Sequence, residues 1–152
     1  MTSPHIAPDR HAEPGIAHAA PPRAVALILR AEALVEFALS LAAYRYYGGL
    51  WLTFGGLFLA PDLAMAGYAA GPRAGAAAYN MAHTFLAPAV LALIGVVLPV
   101  SPLVQMALIW AAHIAFDRAV GYGLKYPAGF AATHLGRRCL AALSPAPAAR
   151  PS

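Results

Sequence analysis

Residues 58–85 read FLAPDLAMAGYAAGPRAGAAAYNMAHTF. Two apolar runs meet at Gly71 and Pro72, and each carries polar residues deep inside it: Asp62 in the first, Asn80 and His83 in the second. Glycine adopts the left-handed cap that ends a helix, and proline's missing N–H is harmless in the first turn of the next. The stretch therefore reads as two helices joined by a tight turn, in surroundings that tolerate an apolar exterior. The rest of the chain agrees. Of its 152 residues 61% are hydrophobic and only 11% charged, where soluble domains average about 25% charged. The length suits a single domain, and at about 20 apolar residues per membrane crossing it allows no more than about five crossings.

Working outward, an apolar run from Ala24 to about Tyr46 ends at Gly48 and Gly49, and a second covers Leu50 to Ala70. A third runs from Arg73 to Leu98, and Ser101 as N-cap with Pro102 at the first helical position opens a fourth that reaches about Val120. Gly121, Gly123 and then Pro127 stop it. The expected fold is an all-α membrane protein, a four-helix transmembrane bundle spanning residues 23–143. A disordered, Pro- and Ala-rich arm at 1–22 precedes it and a disordered tail at 144–152 comes after it. The arm is too long, polar and acidic to be a signal peptide. Near the end, Leu135, Cys139, Ala142 and Leu143 share one helical face and His134, Arg137 and Arg138 the other, which predicts a short amphipathic helix on the membrane surface. Gly56, Ala60 and Ala64, and likewise Ala74 and Ala78, form small-residue stripes suited to close helix contact. Four crossings put both termini on one side. That side and the turn at 70–73 would hold Arg10, Arg23, Arg73, Lys125, Arg137, Arg138 and Arg150, against Arg45 alone on the other, so the positive-inside rule places both termini in the cytoplasm.

The formal charge of +4 comes from ten scattered Lys and Arg residues. With no basic run and no interleaved aromatics, nucleic acid is excluded as a partner. The single cysteine excludes an internal disulfide and cysteine-rich zinc sites.

The acids are the informative charges. Asp9 and Glu13 lie in the arm, but Glu32, Glu36, Asp62 and Asp117 all lie inside apolar runs. Measured from the cytoplasmic ends, Glu32 and Asp62 lie about 12 Å deep, Asn80 about 9 Å, His83 about 14 Å, His113 about 15 Å and Asp117 about 9 Å. Four separate helices thus place polar groups at one level. The i, i+3 pair Asn80–His83 and the i, i+4 pairs His113–Asp117 and Glu32–Glu36 each project to one side, expected to be inward. At about 2.5–3.5 kcal/mol for each ionised group at the bilayer centre, the acids cannot all stand bare. They are protonated, paired with imidazolium, or bound to a cation. Asp62, Asn80, His83, His113 and Asp117 make a ligand set suited to zinc, manganese or iron. A hydrogen-bonded network fixing helix register, or a proton or ion path, would also account for them. Pro61 and Pro88 would kink the second and third helices beside the polar residues. Tyr68, Tyr79, Tyr122 and Tyr126 read as interfacial belt residues.

The strings PDLAMAGY at 61–68, YNMAHT at 79–84 and HIAFDRAVGYGLKYPAGFAATHLG at 113–136 resemble the small bacterial integral-membrane family known as domain of unknown function 4260. The resemblance covers about residues 25–138 and its motif positions fall on Asp62, Asn80, His83, His113, Asp117, Lys125 and His134. It implies a multi-pass protein of the bacterial plasma membrane and carries no activity. A looser likeness to membrane-bound metal-dependent hydrolases rests on ligand type alone. On the residues themselves the leading expectation is a metal-dependent hydrolase of a lipid or membrane-associated substrate, with Glu32 or Asp117 as general base and Lys125 and Arg137 receiving an anionic headgroup. The alternatives are a small ion- or proton-coupled transporter and a non-catalytic assembly subunit.

Overall fold

A computed structural model describes residues 22–125, 132–133 and 136–137. Apart from a two-residue antiparallel pairing of Ala132–Thr133 with Gly136–Arg137, the described chain is helical. Helix α1 spans Arg23–Tyr46, α2 Trp51–Leu57, a 3-10 helix Ala60–Ala70, α3 Pro72–Ala82, α4 Leu86–Val97 and α5 Ser101–Val120. Three stretches are long and apolar enough to cross a membrane: Trp51–Ala70, Pro72–Val97 and Ser101–Val120. The first expected crossing forms as α1 but is not among the three; it carries Arg30, Glu32 and Glu36.

Helix α5 is the centre of the molecule. It packs along α1 on one side and α4 on another, and it touches α2 and the 3-10 helix. Its buried residues include Val104, Ala107, Ile109, Ala112, His113, Ile114 and Ala115. Helix α1 offers it a narrow stripe at helical spacing: Ala33 and Tyr44 are buried and Phe37 half-buried. Tyr44 then anchors the next turn, its hydroxyl donating to the Leu50 carbonyl at 2.7 Å while its ring lies across Gly49, where no side chain would fit. Gln105 ties α5 to the same turn by donating to the Tyr47 carbonyl at 2.7 Å.

Two expected helices are broken, each beside a proline. Pro61 lacks an N–H for the Leu57 carbonyl, and there the α-helix ends and a 3-10 helix takes over for eleven residues. Runs of that length are uncommon and mark functional or strained segments. The expected third helix divides at residues 83–85; Pro88 cannot donate to the Thr84 carbonyl, so the chain restarts as α4. The break at Gly71 and Pro72 falls as expected, with Pro72 opening α3, but Gly71 at φ 110° and ψ 165° has an extended, positive-φ backbone rather than a left-handed helical cap. Gly121 takes the expected left-handed cap of α5. Ser101 does not cap: it is the first helical residue, after Val100, and its side chain makes no cap bond. The close packing of α3 on the 3-10 helix runs through Gly75, whose missing side chain makes room for the Tyr68 ring, and through Gly67 against Ala78. Gly56, expected in such a contact, faces open space.

The predicted surface helix at 134–143 falls mostly outside the described residues, as do the arm, the tail and His134. Where that stretch is described, at Gly136–Arg137, it is a strand and not a helix.

Candidate metal centre

Three separate spans place one or two side chains each around a single point. Asp62 comes from the first turn of the 3-10 helix, His83 from the residue that ends α3, and His113 and Asp117 from one face of α5, one turn apart. One ligand-type atom from each of these four residues lies within 4.8 Å of all the others. His83 Nε2 is 3.2 Å from His113 Nε2, 3.3 Å from Asp62 Oδ1 and 3.6 Å from Asp117 Oδ2. His113 Nε2 is 3.5 Å from Asp62 Oδ1 and 4.0 Å from Asp117 Oδ2.

The break after Ala82 is what aims His83. As the C-cap of α3, its backbone N–H donates to the Tyr79 carbonyl at 2.9 Å, and its Nδ1 lies 2.9 Å from the same oxygen. A carbonyl only accepts, so Nδ1 carries the proton and Nε2 presents a bare lone pair to the cluster. The Tyr79 ring stacks on the imidazole, centroids 3.7 Å apart, and its hydroxyl lies 3.3 Å from Asp117 Oδ2 as a donor. His113 is held differently. Its ring meets Phe58 edge-on at 5.4 Å, and Phe58 packs with Phe37 and Phe116. Its Nδ1 is buried and has no hydrogen-bond partner among the described residues. Both histidines are buried, while Asp117 is 17% and Asp62 38% exposed in its side chain.

The distances have a direct chemical reading. Hydrogen bonds between such groups run at about 2.7–3.2 Å. A tetrahedral ion with bonds of about 2.0–2.2 Å sets its ligand atoms about 3.3–3.6 Å apart. Four of these five separations are longer than a typical hydrogen bond, and three of them lie at that edge length while His113 Nε2 to Asp117 Oδ2 is longer, at 4.0 Å. With Nε2 of His83 unprotonated, a proton on His113 Nε2 satisfies one facing acceptor. A metal ion would satisfy all four at once. This buried Asp, His, His, Asp group could therefore hold a metal ion.

Asn80, expected among the ligands, is committed elsewhere. Its Nδ2 donates to the Lys125 carbonyl at 2.9 Å and its Oδ1 accepts from the Lys125 N–H at 2.8 Å, the double bond that a neighbouring strand would make. The clamp draws the chain after α5 back over the cluster. Lys125, expected at an exposed rim, is instead 6% exposed, with Nζ 4.0 Å from the centre of the Tyr79 ring and 5.5 Å from that of Tyr68. Burial pushes its ammonium below the usual lysine range, and the charges of Asp62 and Asp117 work against that shift. The side chain of Arg137 lies outside the described residues.

Glu32 and Glu36, expected to face inward, are exposed on α1 and make no part of the group. The packing stripe of α1 is Ala33, Phe37 and Tyr44, and a residue one position before each of the first two points away from it. Glu36 lies within electrostatic reach of Arg118, whose guanidinium stands 4.3 Å over the Phe85 ring. Tyr79, expected as an interfacial belt residue, is buried and packs on the cluster instead. Its signal was the i, i+4 spacing from His83, which puts the two rings on one helical face.

A family model described as Domain of unknown function (DUF4260) matches residues 26–138. No curated protein and no solved structure matches the chain.

Proposed function

The chain belongs to the DUF4260 family, whose description carries no activity, and we propose from its own residues that it is a membrane-embedded, metal-dependent hydrolase acting on a lipid or lipid-linked substrate. The observation that carries the reading is the convergence of four ligand-type atoms within 4.8 Å of one another, three of their separations matching the edge of a tetrahedron. His83, His113 and Asp117 are the ligands, the first oriented by Tyr79 through both its ring and its carbonyl. Zinc, manganese or iron suits two imidazoles and a carboxylate. Bound there, such an ion lowers the pKa of a coordinated water toward neutrality and polarises the bond to be cleaved.

Asp62 takes the general-base role expected of Glu32 or Asp117. It is the most exposed of the four, stands at the start of a 3-10 helix behind Pro61, and keeps Oδ1 within 3.5 Å of both imidazoles. That position suits a carboxylate that serves as a fourth ligand at rest and as the base that removes a proton from water when substrate enters. Tyr79 positions Asp117 by its hydroxyl, and Lys125 balances part of the carboxylate charge. The transport reading lacks support, because the polar groups farther along the helices are locally engaged: Ser40 Oγ donates to the Glu36 carbonyl at 2.8 Å, and Gln105 donates to Tyr47. In this reading α1 crosses the membrane as a fourth span, with both termini cytoplasmic, because its exposed surface carries Leu27, Ile28, Leu34, Val35 and Leu39.

Elemental analysis of detergent-purified protein, with turnover of a phospholipid extract in reconstituted vesicles, tests the proposal. Wild type carries about one transition-metal ion per chain and releases a lipid fragment. His113→Ala loses both, while Asp62→Asn keeps most of the metal and loses turnover by about two orders of magnitude or more, the range for a general base. Metal well below one equivalent that does not rise on addition overturns the metal centre. Metal with undiminished turnover in Asp62→Asn overturns the role of Asp62.

A further inference from the structure

An apolar cavity of about 330 Å³ adjoins the cluster. Its walls are the sequence neighbours of the ligands: Pro61 precedes Asp62, Ala82 precedes His83, and Met106, Ile109 and Trp110 continue along α5 the face that carries His113 and Asp117. Along α5 its wall runs from Met106 to Trp110, about 6 Å, and Trp110 stands three residues, about 4.5 Å, before His113. It lies wholly on the three stretches apolar enough to cross a membrane. Leu57 and Met106 at its wall are 39% and 48% exposed, so it opens sideways, toward the space that lipid occupies around such spans. The indole N–H of Trp110 on its wall is already used, since it donates to the Ala82 carbonyl at 2.6 Å. A guest in this cavity meets a mainly apolar wall, whose Pro61, Ala82 and Trp110 stand next in sequence to Asp62, next to His83 and one turn before His113.

We infer that the cavity seats one acyl chain of a membrane lipid and so presents the lipid's polar linkage to the His83, His113, Asp62 and Asp117 cluster. At interior packing density the volume accepts a chain of about ten methylenes, and pockets of this size and lining are ordinary ligand sites. A seated acyl chain defines the substrate class of the proposed hydrolase, and the chemistry after binding rests on that hydrolase reading. The seating of the chain stands on the cavity itself. Entry is lateral, from within the bilayer, and the burial of both histidines keeps the reacting group away from bulk water.

The test uses the full-length protein in phosphatidylcholine vesicles containing a phosphatidylcholine with a photoactivatable diazirine at the middle of one acyl chain. Cross-linked peptides are mapped by mass spectrometry, and metal content is measured on the same preparation. Label is expected to concentrate at Met106–Trp110 severalfold above the exposed face of α1 at Leu27, Leu34 and Leu39. Ala64→Phe, which fills the cavity from the 3-10 helix without touching a ligand, should reduce label at Met106–Trp110 to the α1 level and leave metal content unchanged. Leu91→Trp fills it from α4 and gives the same result should the first variant fail to fold. Label spread evenly over all exposed faces, or unchanged in both filled variants, overturns the inference. Cavity label that persists in a protein without metal upholds the acyl site and overturns the hydrolase reading.

Discussion

Two pairs of acids lie in apolar helices of this chain, and they have opposite fates. Glu32 and Glu36 sit on α1, an unbroken helix of 24 residues, and both face away from the packed interior. Asp62 and Asp117 meet the two imidazoles, Asp117 from the regular α5, while Asp62 and His83 stand where the backbone is irregular, on a 3-10 helix and at the end of α3. A regular helix distributes its side chains at fixed angles, so a polar residue is inward only if it falls on the packing stripe. A broken one can re-aim a side chain independently of its neighbours. Two prolines thus do for Asp62 and His83 what periodicity alone does for His113 and Asp117.

The comparison breaks most readily at His83. Replacing it with alanine removes a ligand nitrogen and leaves the two carboxylates facing a single imidazole. His83→Ala should lose nearly all bound metal and, because the buried ring that stacks on Tyr79 and bonds its carbonyl is removed, about 1–3 kcal/mol of stability. Metal content and thermal unfolding in detergent measure the two effects. Retention of metal with a lowered melting temperature would show that the irregular region holds a packing network rather than a metal centre.

A second variant sharpens the line between ligand and scaffold. Asn80→Ala removes two hydrogen bonds to the Lys125 backbone, worth together about 1–3 kcal/mol, and removes no ligand. Stability should fall by that amount while metal content stays near one equivalent. Loss of metal in step with loss of the amide would restore Asn80 to the coordination sphere.

Much of this was legible from the residues. Depth along each helix brought Asp62, His83, His113 and Asp117 to one level, and the structure joins those four. Depth carries no rotation, however, which is why Glu32 and Glu36 were grouped with them. A one-residue offset from Ala33 and Phe37 turns them out, and nothing in an Ala- and Leu-rich helix marks which stripe packs. Asn80 was read with the ligands because its i, i+3 relation to His83 gives a shared side, whereas its amide bonds the Lys125 backbone. An amide satisfies a backbone N–H and carbonyl together as readily as it ligates, and the segment it clamps is distant in sequence. Pro88 was read as a kink inside one helix. The stop at residues 83–85 depends on the unfilled Thr84 carbonyl and on Tyr79 accepting both His83 donors, which only the folded turn displays.

The smallest expected effect is the one that isolates the regular region. Glu32→Gln and Glu36→Gln keep the shape of each side chain and remove its charge. Because both residues lie outside the group of ligand atoms, metal content and turnover should match wild type, and since each stands on the outer face of a span, removing its charge should leave stability equal or higher. Set beside Asp62→Asn, in which the same change of carboxylate to amide is expected to abolish turnover, the pair isolates position from chemistry. A loss of metal in either glutamine variant could arise only if α1 turned by roughly 100° about its axis, one residue's worth of helical rotation, to bring an acid under α5. That rotation would carry Ala33 and Phe37 out of the interface. It would also pull Phe37 from its ring contacts with Phe58 and Phe116, which stand at 6.5 and 5.8 Å. Because Phe58 in turn braces His113, the metal site would feel the turn of a helix that contributes no ligand to it.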